Sequence, residues 1–513
     1  MTTTGAATPP RPFAGFGDEA ELDLDLASPR VAAQVVKRLL SPDFEDWSTA
    51  VARVGSCTNP IHLTGTSTRV DAGTGEVLSS YSSDSEPLGT TLIRCGNRRA
   101  DKCPSCSRVY AADMFHLIRS GVAGGKGVPE RVGENPLVFA TLTAPSFGHV
   151  HGKRDNGRAC RPHAKMSRCE HGRLTTCLAK HEDGDPLLGQ PLCWECYNYA
   201  SHIVWQWWAP ELWRRFTIAL KRLLAQRLDV REAKLNDHVT VQYSKVAEYQ
   251  RRGLIHFHAL IRLDGPKADE GFAPAPGWLT AQHLADLVQE AARSVRFTAP
   301  PVLADDVDRV LAFGAQADSR PVKVGHRTDD PNGPLAPEQV AGYLAKYSTK
   351  SATDTVDGEA SNSHLRRIQT VAGEFATLVE DEWAAAGMPC ELKELTYGLL
   401  GKWHTALGFR GHFATKSRRY SVTLGALRRA RRRAQALLAD AQRTGIPVDL
   451  TAMEAQLLAD DEDETTLVIG SWAFAGIGWD TEGDVQLARA AAARAREYAQ
   501  HRAEIKRVAG QSN

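Results

Sequence analysis

Val239-Thr-Val-Gln-Tyr-Ser-Lys-Val-Ala247 and Leu254-Ile-His-Phe-His-Ala-Leu-Ile261 are apolar-rich runs joined through Arg251-Arg252-Gly253. Both favour strand, and the short glycine-containing connection predicts an antiparallel hairpin. Strand side chains alternate, so His256 and His258 share one face while Phe257 points into the core. Two imidazoles about 7 Å apart along one strand can both reach a divalent ion. Glu248 lies across the turn from the pair, and a hairpin of this length can set it beside them. Two histidines and one carboxylate leave coordination positions open for substrate oxygens and water. The competing reading of Glu248 is a surface carboxylate paired with Arg251 or Arg252.

Working outward, Leu137-Val-Phe-Ala-Thr-Leu-Thr143 reads as a buried strand ended by Ala144-Pro145. Helical periodicity marks a segment after Ser28-Pro29, then Pro210 to about Leu228, Thr280 to about Arg293 and Pro337–Tyr347. Two more helices are expected at Ala426–Arg443 and Val485–Val508. Hairpins mixed with helices make the fold class α+β. In Tyr343-Leu-Ala-Lys346-Tyr347-Ser-Thr-Lys350 the tyrosines stand at i and i+4, on one helix face, and a lysine follows each by three residues. A phenol, with a pKa of about 10, is a poor nucleophile at neutral pH. A metal on a scissile phosphate and a nearby lysine would supply the missing activation. The plain alternative is that the tyrosines only pack the helix onto the core.

The chain has 513 residues, 42% hydrophobic and 24% charged, which excludes a disordered or fibrous protein. No run approaches the 18 or so consecutive apolar residues of a membrane span. Met1–Gly17 lacks a basic segment followed by an apolar core, so a soluble cytoplasmic protein without a secretory signal is expected. The net charge of +1 alone argues against a nucleic-acid partner, but the charge is segregated. Arg410–Arg433 holds no Asp or Glu, whereas acids gather at the N-terminus and in Asp460–Glu464. Within the basic segment Arg410, Lys416, Arg418, Arg419 and Tyr420 mix guanidinium groups with hydroxyls and aromatics, a combination suited to phosphate contacts and base stacking. The arginines of the following helix also read as a solvated face.

Ten cysteines in such a protein point to metal rather than disulfides. Cys103-Pro-Ser-Cys106 and Cys193-Trp-Glu-Cys196 have the C-x2-C spacing that grips one ion from a tight turn. Two structural Zn2+ sites are expected. The first is Cys57, Cys95, Cys103 and Cys106; the second is Cys169, Cys177, Cys193 and Cys196, with Cys160 and His171 as further candidates. A closed four-ligand site leaves no open position, so these groups are assigned no catalysis.

Taken in order, Phe139-Ala-Thr-Leu-Thr143, His256-Phe-His258 and the Tyr343/Tyr347 helix resemble the three motifs of the HUH endonucleases that initiate rolling-circle replication. Several segments are closer to the RepSA-like replication initiators of actinobacterial plasmids and integrative elements. They include Cys95-Gly-Asn-Arg-Arg, Thr143-Ala-Pro-Ser-Phe-Gly148, Glu211-Leu-Trp-Arg-Arg215, Ala341-Gly-Tyr-Leu-Ala-Lys-Tyr347 and Gly408-Phe-Arg-Gly-His-Phe413.

The resemblance implies an HUH-type antiparallel sheet with flanking helices and a sequence-specific DNA nickase. Glu248, His256 and His258 would hold Mg2+ or Mn2+ on the scissile phosphate. A tyrosine would form a 5′-phosphotyrosyl link and free a 3′-OH for priming. Single-tyrosine plasmid initiators use the second position of the pair, which favours Tyr347, and carry a glutamate where Tyr343 stands. Termination by Tyr343 and by activated water are therefore both open. Implied partners are origin DNA with a single-stranded nick site and, since no Walker A pattern is present, a host helicase and polymerase.

The expected division is a mobile tail and first helix (1–50), a four-cysteine zinc segment (51–135) and a nuclease domain (136–355) with a Cys/His-rich insertion at about 149–199. A basic DNA-binding helical region (356–450) and a C-terminal helical region without an assigned role (451–513) follow. The alternatives are an HUH transposase, and a non-catalytic zinc-finger regulator, which leaves Glu248, the histidines and both tyrosines idle.

Overall fold

The computed structural model describes residues 27–154, 157–162, 166–268, 271–322, 337–348, 363–387, 397–446, 457 and 466–511. The tail before residue 27, Lys350 and Asp460–Glu464 lie outside the described residues. The fold is α+β, with helices and antiparallel sheets. It divides into two units, Met1–Ala112 with Asp449–Asn513, and Asp113–Val448.

In the first unit, Ser28 caps α1 (Pro29–Leu39), and α2 (Phe44–Arg53) follows. Strands β1 (Ile61–Asp71), β2 (Val77–Ser82) and β3 (Thr91–Ile93) form a sheet with β11 (Thr466–Ile477). Strand β11 pairs antiparallel along the whole of β1, from Ile61↔Ile477 to Asp71↔Thr466. The segment expected to be helical after residue 451 thus contains a long strand before the last helix, α10 (Glu482–Gln511). Leu487 and Ala488 of α10 bury against Val35, Trp47 and Val51, and Arg38 meets the buried Asp484 at 2.7 Å.

The second unit is built on five antiparallel strands in the order β10-β5-β6-β4-β9. These are β4 (Leu137–Leu142), β5 (Thr240–Tyr249), β6 (Ile255–Asp264), β9 (Ala317–Pro321) and β10 (Ala414–Lys416), while β7 (Phe297–Ala299) and β8 (Arg309–Leu311) form a separate ribbon. On one face Ile255, Phe257, Ala259, Ile261 and Leu263 of β6 enter the main core with α4 (Tyr199–Arg227) and α5 (Ala281–Ser294). Trp213 of α4 lies 5.6 Å from Phe257 and 5.3 Å from Tyr243, centroid to centroid. Helix α4 does not open at Pro210, as periodicity suggests, but at Tyr199, with Asn198 as its cap. Ile203, Val204, Trp205, Trp207 and Ala209 are fully buried ahead of the proline, and that burial outweighs the hydrogen bond it removes. Residues of α7 (Ser363–Ala385) and α8 (Leu400–Trp403) close the same core. Among the described residues no helix is long and apolar enough to cross a membrane.

The other sheet face carries polar chemistry. Arg262 and Asp264 of β6 are buried and joined at 2.6 and 2.9 Å, and Asn135 donates to Asp264 at 2.9 Å. Arg262 also reaches the carbonyls of Gly121 and Tyr420. Removing one partner strands the other charge without water, so Arg262→Ala is expected to cost about 3–5 kcal/mol in urea unfolding. A loss under about 1 kcal/mol would contradict this reading.

His202 of α4 and His364 of α7 are buried, with Nδ1 atoms 2.8 Å from Tyr197 Oη and 3.1 Å from Tyr199 Oη. Desolvation holds His202 well below the usual imidazole value and His364 at about 4. As pH falls below about 6.5, the unfolded chain takes up protons that these folded histidines refuse. Stability is therefore expected to fall by up to about 1.4 kcal/mol per pH unit for each, down to about pH 4 for His364. Urea midpoints at pH 7.5, 6 and 5 test this; His364→Gln should flatten the slope, and an unchanged slope would contradict it.

Candidate active site and metal-binding groups

The β5–β6 hairpin turns at Gly253, whose φ of +80° suits glycine and whose N–H closes the turn onto Gln250. Its register sets Glu248 directly opposite His256, and β4 sets Thr141 opposite His258. Glu248 Oε2 lies 2.8 Å from His258 Nε2, while Thr141 Oγ1 lies 3.1 Å from His258 Nδ1. The threonine hydroxyl can donate or accept, so it supports either tautomer of His258. The Phe139 ring stacks on His258 at 5.7 Å and 4°. Glu248 is therefore committed to His258 rather than to a surface arginine.

His256 is 5.8 Å from His258 between ring centroids, and its buried Nε2 has no hydrogen-bond partner among the described residues. Burial, with His258 and Arg252 nearby, lowers its pKa to about 3 and keeps the ring neutral. Two imidazoles, one with a nitrogen unpartnered among the described residues, and a carboxylate on one face are the donor types that a divalent cation takes.

Helix α6 (Pro337–Ser348) lies over this face. Tyr343 donates to Glu248 Oε2 at 3.3 Å and lies 3.4 Å from His258 Nε2. The Tyr347 ring stands 4.5 Å from Tyr343 and 6.3 Å from His258, and Lys346 Nζ is 5.9 Å from the Tyr347 ring. Burial, then the Glu248 charge, pushes both phenols above their usual pKa. Thr141, Glu248, His256, His258, Tyr343 and Tyr347 line one cleft of about 870 Å³, together with His151, Lys153 and Arg251.

Three groups of cysteine and histidine each bring four ligand atoms within 4.8 Å of one another. Cys57, Cys95, Cys103 and Cys106 gather as expected, with Cys57 Sγ 3.8 and 3.7 Å from Cys103 and Cys106. That spacing matches the roughly 3.8 Å edge of a tetrahedron with Zn–S bonds of about 2.3 Å. Cys103 and Cys106 flank the start of α3 (Pro104–Ala123).

The second expected set is corrected. Cys169, Cys193 and Cys196 take His171 as their fourth member, at 3.3 and 3.8 Å from Cys196 and Cys193. A tight turn closed by Gly172 N–H on Cys169 carries His171 back to Cys169. Cys177 lies beyond that turn, on the segment bridged to Arg161, and joins Cys160, His151 and His181 instead. The groups thus number three among the described residues, where two sites were expected.

The basic segment is also corrected. Tyr420 is fully buried, its hydroxyl bonded to Ile118 O at 3.2 Å, so it offers no face to a base. Lys416 donates to three carbonyls of its own loop, and Arg410 lies 4.5 and 4.8 Å from the Trp207 and Trp208 rings. Arg419 is tied to Ala268 O, whereas Arg418 is exposed, as are Arg428 and Arg432 on α9 (Leu424–Thr444). Phe139 and Thr141 lie in a motif that the sequence singles out, but their contacts with His258 were not assigned from it, and His151 was missed.

The family model described as "Replication initiator protein, pSAM2" (RepSA) matches residues 43–493. A replication initiator protein of Streptomyces ambofaciens is 39% identical over 474 residues, covering 90% of this chain and 93% of the relative. No solved structure matches.

Proposed function

The chain belongs to the RepSA family of replication initiator proteins, and we propose that it initiates replication by nicking one strand of its origin DNA with a tyrosine. One observation carries this reading: Glu248, His256 and His258 share a cleft with Tyr343 and Tyr347. A regulator that only binds DNA has no need of that juxtaposition.

Glu248, His256 and His258 would hold Mg2+ or Mn2+. When bound, the ion would supply charge neutralisation at a scissile phosphate and would offset the Glu248 charge that, after burial, raises the phenol pKa values. Both hydroxyls lie by Glu248; the resemblance to single-tyrosine plasmid initiators, which use the second position of the pair, makes Tyr347 the attacking group and Tyr343 the second tyrosine. The Tyr347 oxygen bonds to phosphorus, the P–O3′ bond breaks, and the phenol proton departs as the 3′-oxygen becomes a hydroxyl. The product is a 5′-phosphotyrosyl link and a primer end. Lys346, 5.9 Å from the Tyr347 ring, would supply positive charge beside the attack site; Lys350, three residues after Tyr347 in sequence, lies outside the described residues.

The Cys57 and Cys169 groups hold structural zinc. Host helicase and polymerase act on the nicked origin, in the cytoplasm. Covalent capture tests the reading: labelled single-stranded origin DNA with Mg2+ or Mn2+ should give an SDS-resistant protein–DNA adduct. Absence of any adduct across candidate origin sequences, with folded protein, would overturn it.

A further inference from the structure

His151, Cys160, Cys177 and His181 form a group that the expected pair of zinc sites does not contain. His151 Nδ1 lies 3.1 Å from His181 Nε2, and Cys177 Sγ lies 3.5 Å from the same nitrogen. Three electron-rich atoms therefore converge on one point, close to the separations that Zn–N bonds of about 2.0 Å and Zn–S bonds of about 2.3 Å would set. His181 and Cys160 are buried. The far ring nitrogen of His181 is held by Asp185 at 2.6 Å, the carboxylate–histidine arrangement that fixes the tautomer of a metal ligand. Gly152 N–H donates to Cys160 Sγ at 3.2 Å, as amides do to thiolates. The Arg161↔Cys177 bridge aligns the two cysteine segments. Two thiolates with two imidazoles in a closed set select zinc over the hard ion proposed for the cleft.

The group also touches the cleft. His151 lines it with Gly152, Lys153, Leu188 and Gly189, as do Tyr343 and Tyr347. His151 exchanges backbone hydrogen bonds of 2.8 Å with Gln190 and Gly189, which joins the two ends of the insertion. Gly189, at φ +85°, presses onto the catalytic hairpin so closely that a Cβ there would sit 2.5 Å from the Arg251 carbonyl. We propose that His151, Cys160, Cys177 and His181 form a third zinc centre, which holds the insertion as a wall of the cleft along which the single strand lies. The wall role rests on the nickase reading above; the metal centre does not.

The full-length protein, purified without added metal or chelator, should carry three zinc ions per chain by elemental analysis, and Cys177→Ser two. Two per wild-type chain, or equal counts in both proteins, would overturn the third centre. Should the variant prove insoluble, the wild-type count decides alone. For the wall, fluorescence anisotropy with a single-stranded origin oligonucleotide in Mg2+-free buffer should show about tenfold weaker binding by Cys177→Ser. His181→Cys, which keeps a zinc ligand at a member of the group that does not line the cleft, should hold the count at three and retain most of the affinity. Unchanged affinity in Cys177→Ser would overturn the wall. A wild-type protein that forms no adduct would sink the nickase reading and leave the zinc count standing.

Discussion

Tyr347→Phe is expected to abolish the covalent adduct, lowering its rate of formation by about 10³-fold or more. The substitution deletes one oxygen and keeps the ring against Tyr343 and His258. Fold stability should therefore stay within about 0.5 kcal/mol of wild type, and the loss belongs to chemistry. Tyr343→Phe deletes a hydroxyl bonded to Glu248 and near His258, a contact worth about 1 kcal/mol, so the first nick should slow by no more than about tenfold. The two variants read in one adduct assay separate the roles. Near-wild-type adduct formation by Tyr347→Phe, with loss in Tyr343→Phe, would reverse the assignment.

His258→Ala should be nearly as damaging, with cleavage reduced by about 10³-fold, equivalent to about 4 kcal/mol of lost transition-state stabilisation. The imidazole is at once a proposed ligand, the partner of Glu248 and the ring stacked on Phe139. His256→Ala should lose as much by a simpler route, since its Nε2 has no other task among the described residues. Raising Mn2+ should recover part of the rate in His256→Ala, where Glu248 and His258 survive as a pair. It should recover less in His258→Ala. Cleavage by either variant at the wild-type rate and wild-type Mn2+ dependence would remove the divalent ion from the reading.

The hairpin was legible because strand alternation is a local rule: His256 and His258 had to share a face once Phe257 faced the core. The approach of α6 to that face was hinted at only by the i, i+4 tyrosines, since a helix face does not reveal what it covers. Register supplied what pattern could not, setting Thr141 against His258 and Glu248 against His256. The β1–β11 pairing joins residues about 400 positions apart, and no local signal announces it. Cysteine spacing located the C-x2-C grips, but ligand grouping depends on which turns fold back. So Cys177 was placed with its sequence neighbours rather than with His151 and His181. Tyr420 looked like a stacking residue by composition, yet its ring fills space over Gly121, where a Cβ would clash with it.

The most direct measurement is mass spectrometry of the trapped adduct after trypsin and nuclease digestion. Cleavage after Lys346 separates the two tyrosines, leaving Tyr343 on the peptide ending at Lys346 and Tyr347 on Tyr347–Lys350. Nucleotide phosphate on Tyr347 after a single nicking turnover is the predicted result. Phosphate on a residue outside the α6 pair, or cleaved DNA with no nucleotide on either tyrosine, would contradict a tyrosine-nucleophile initiator.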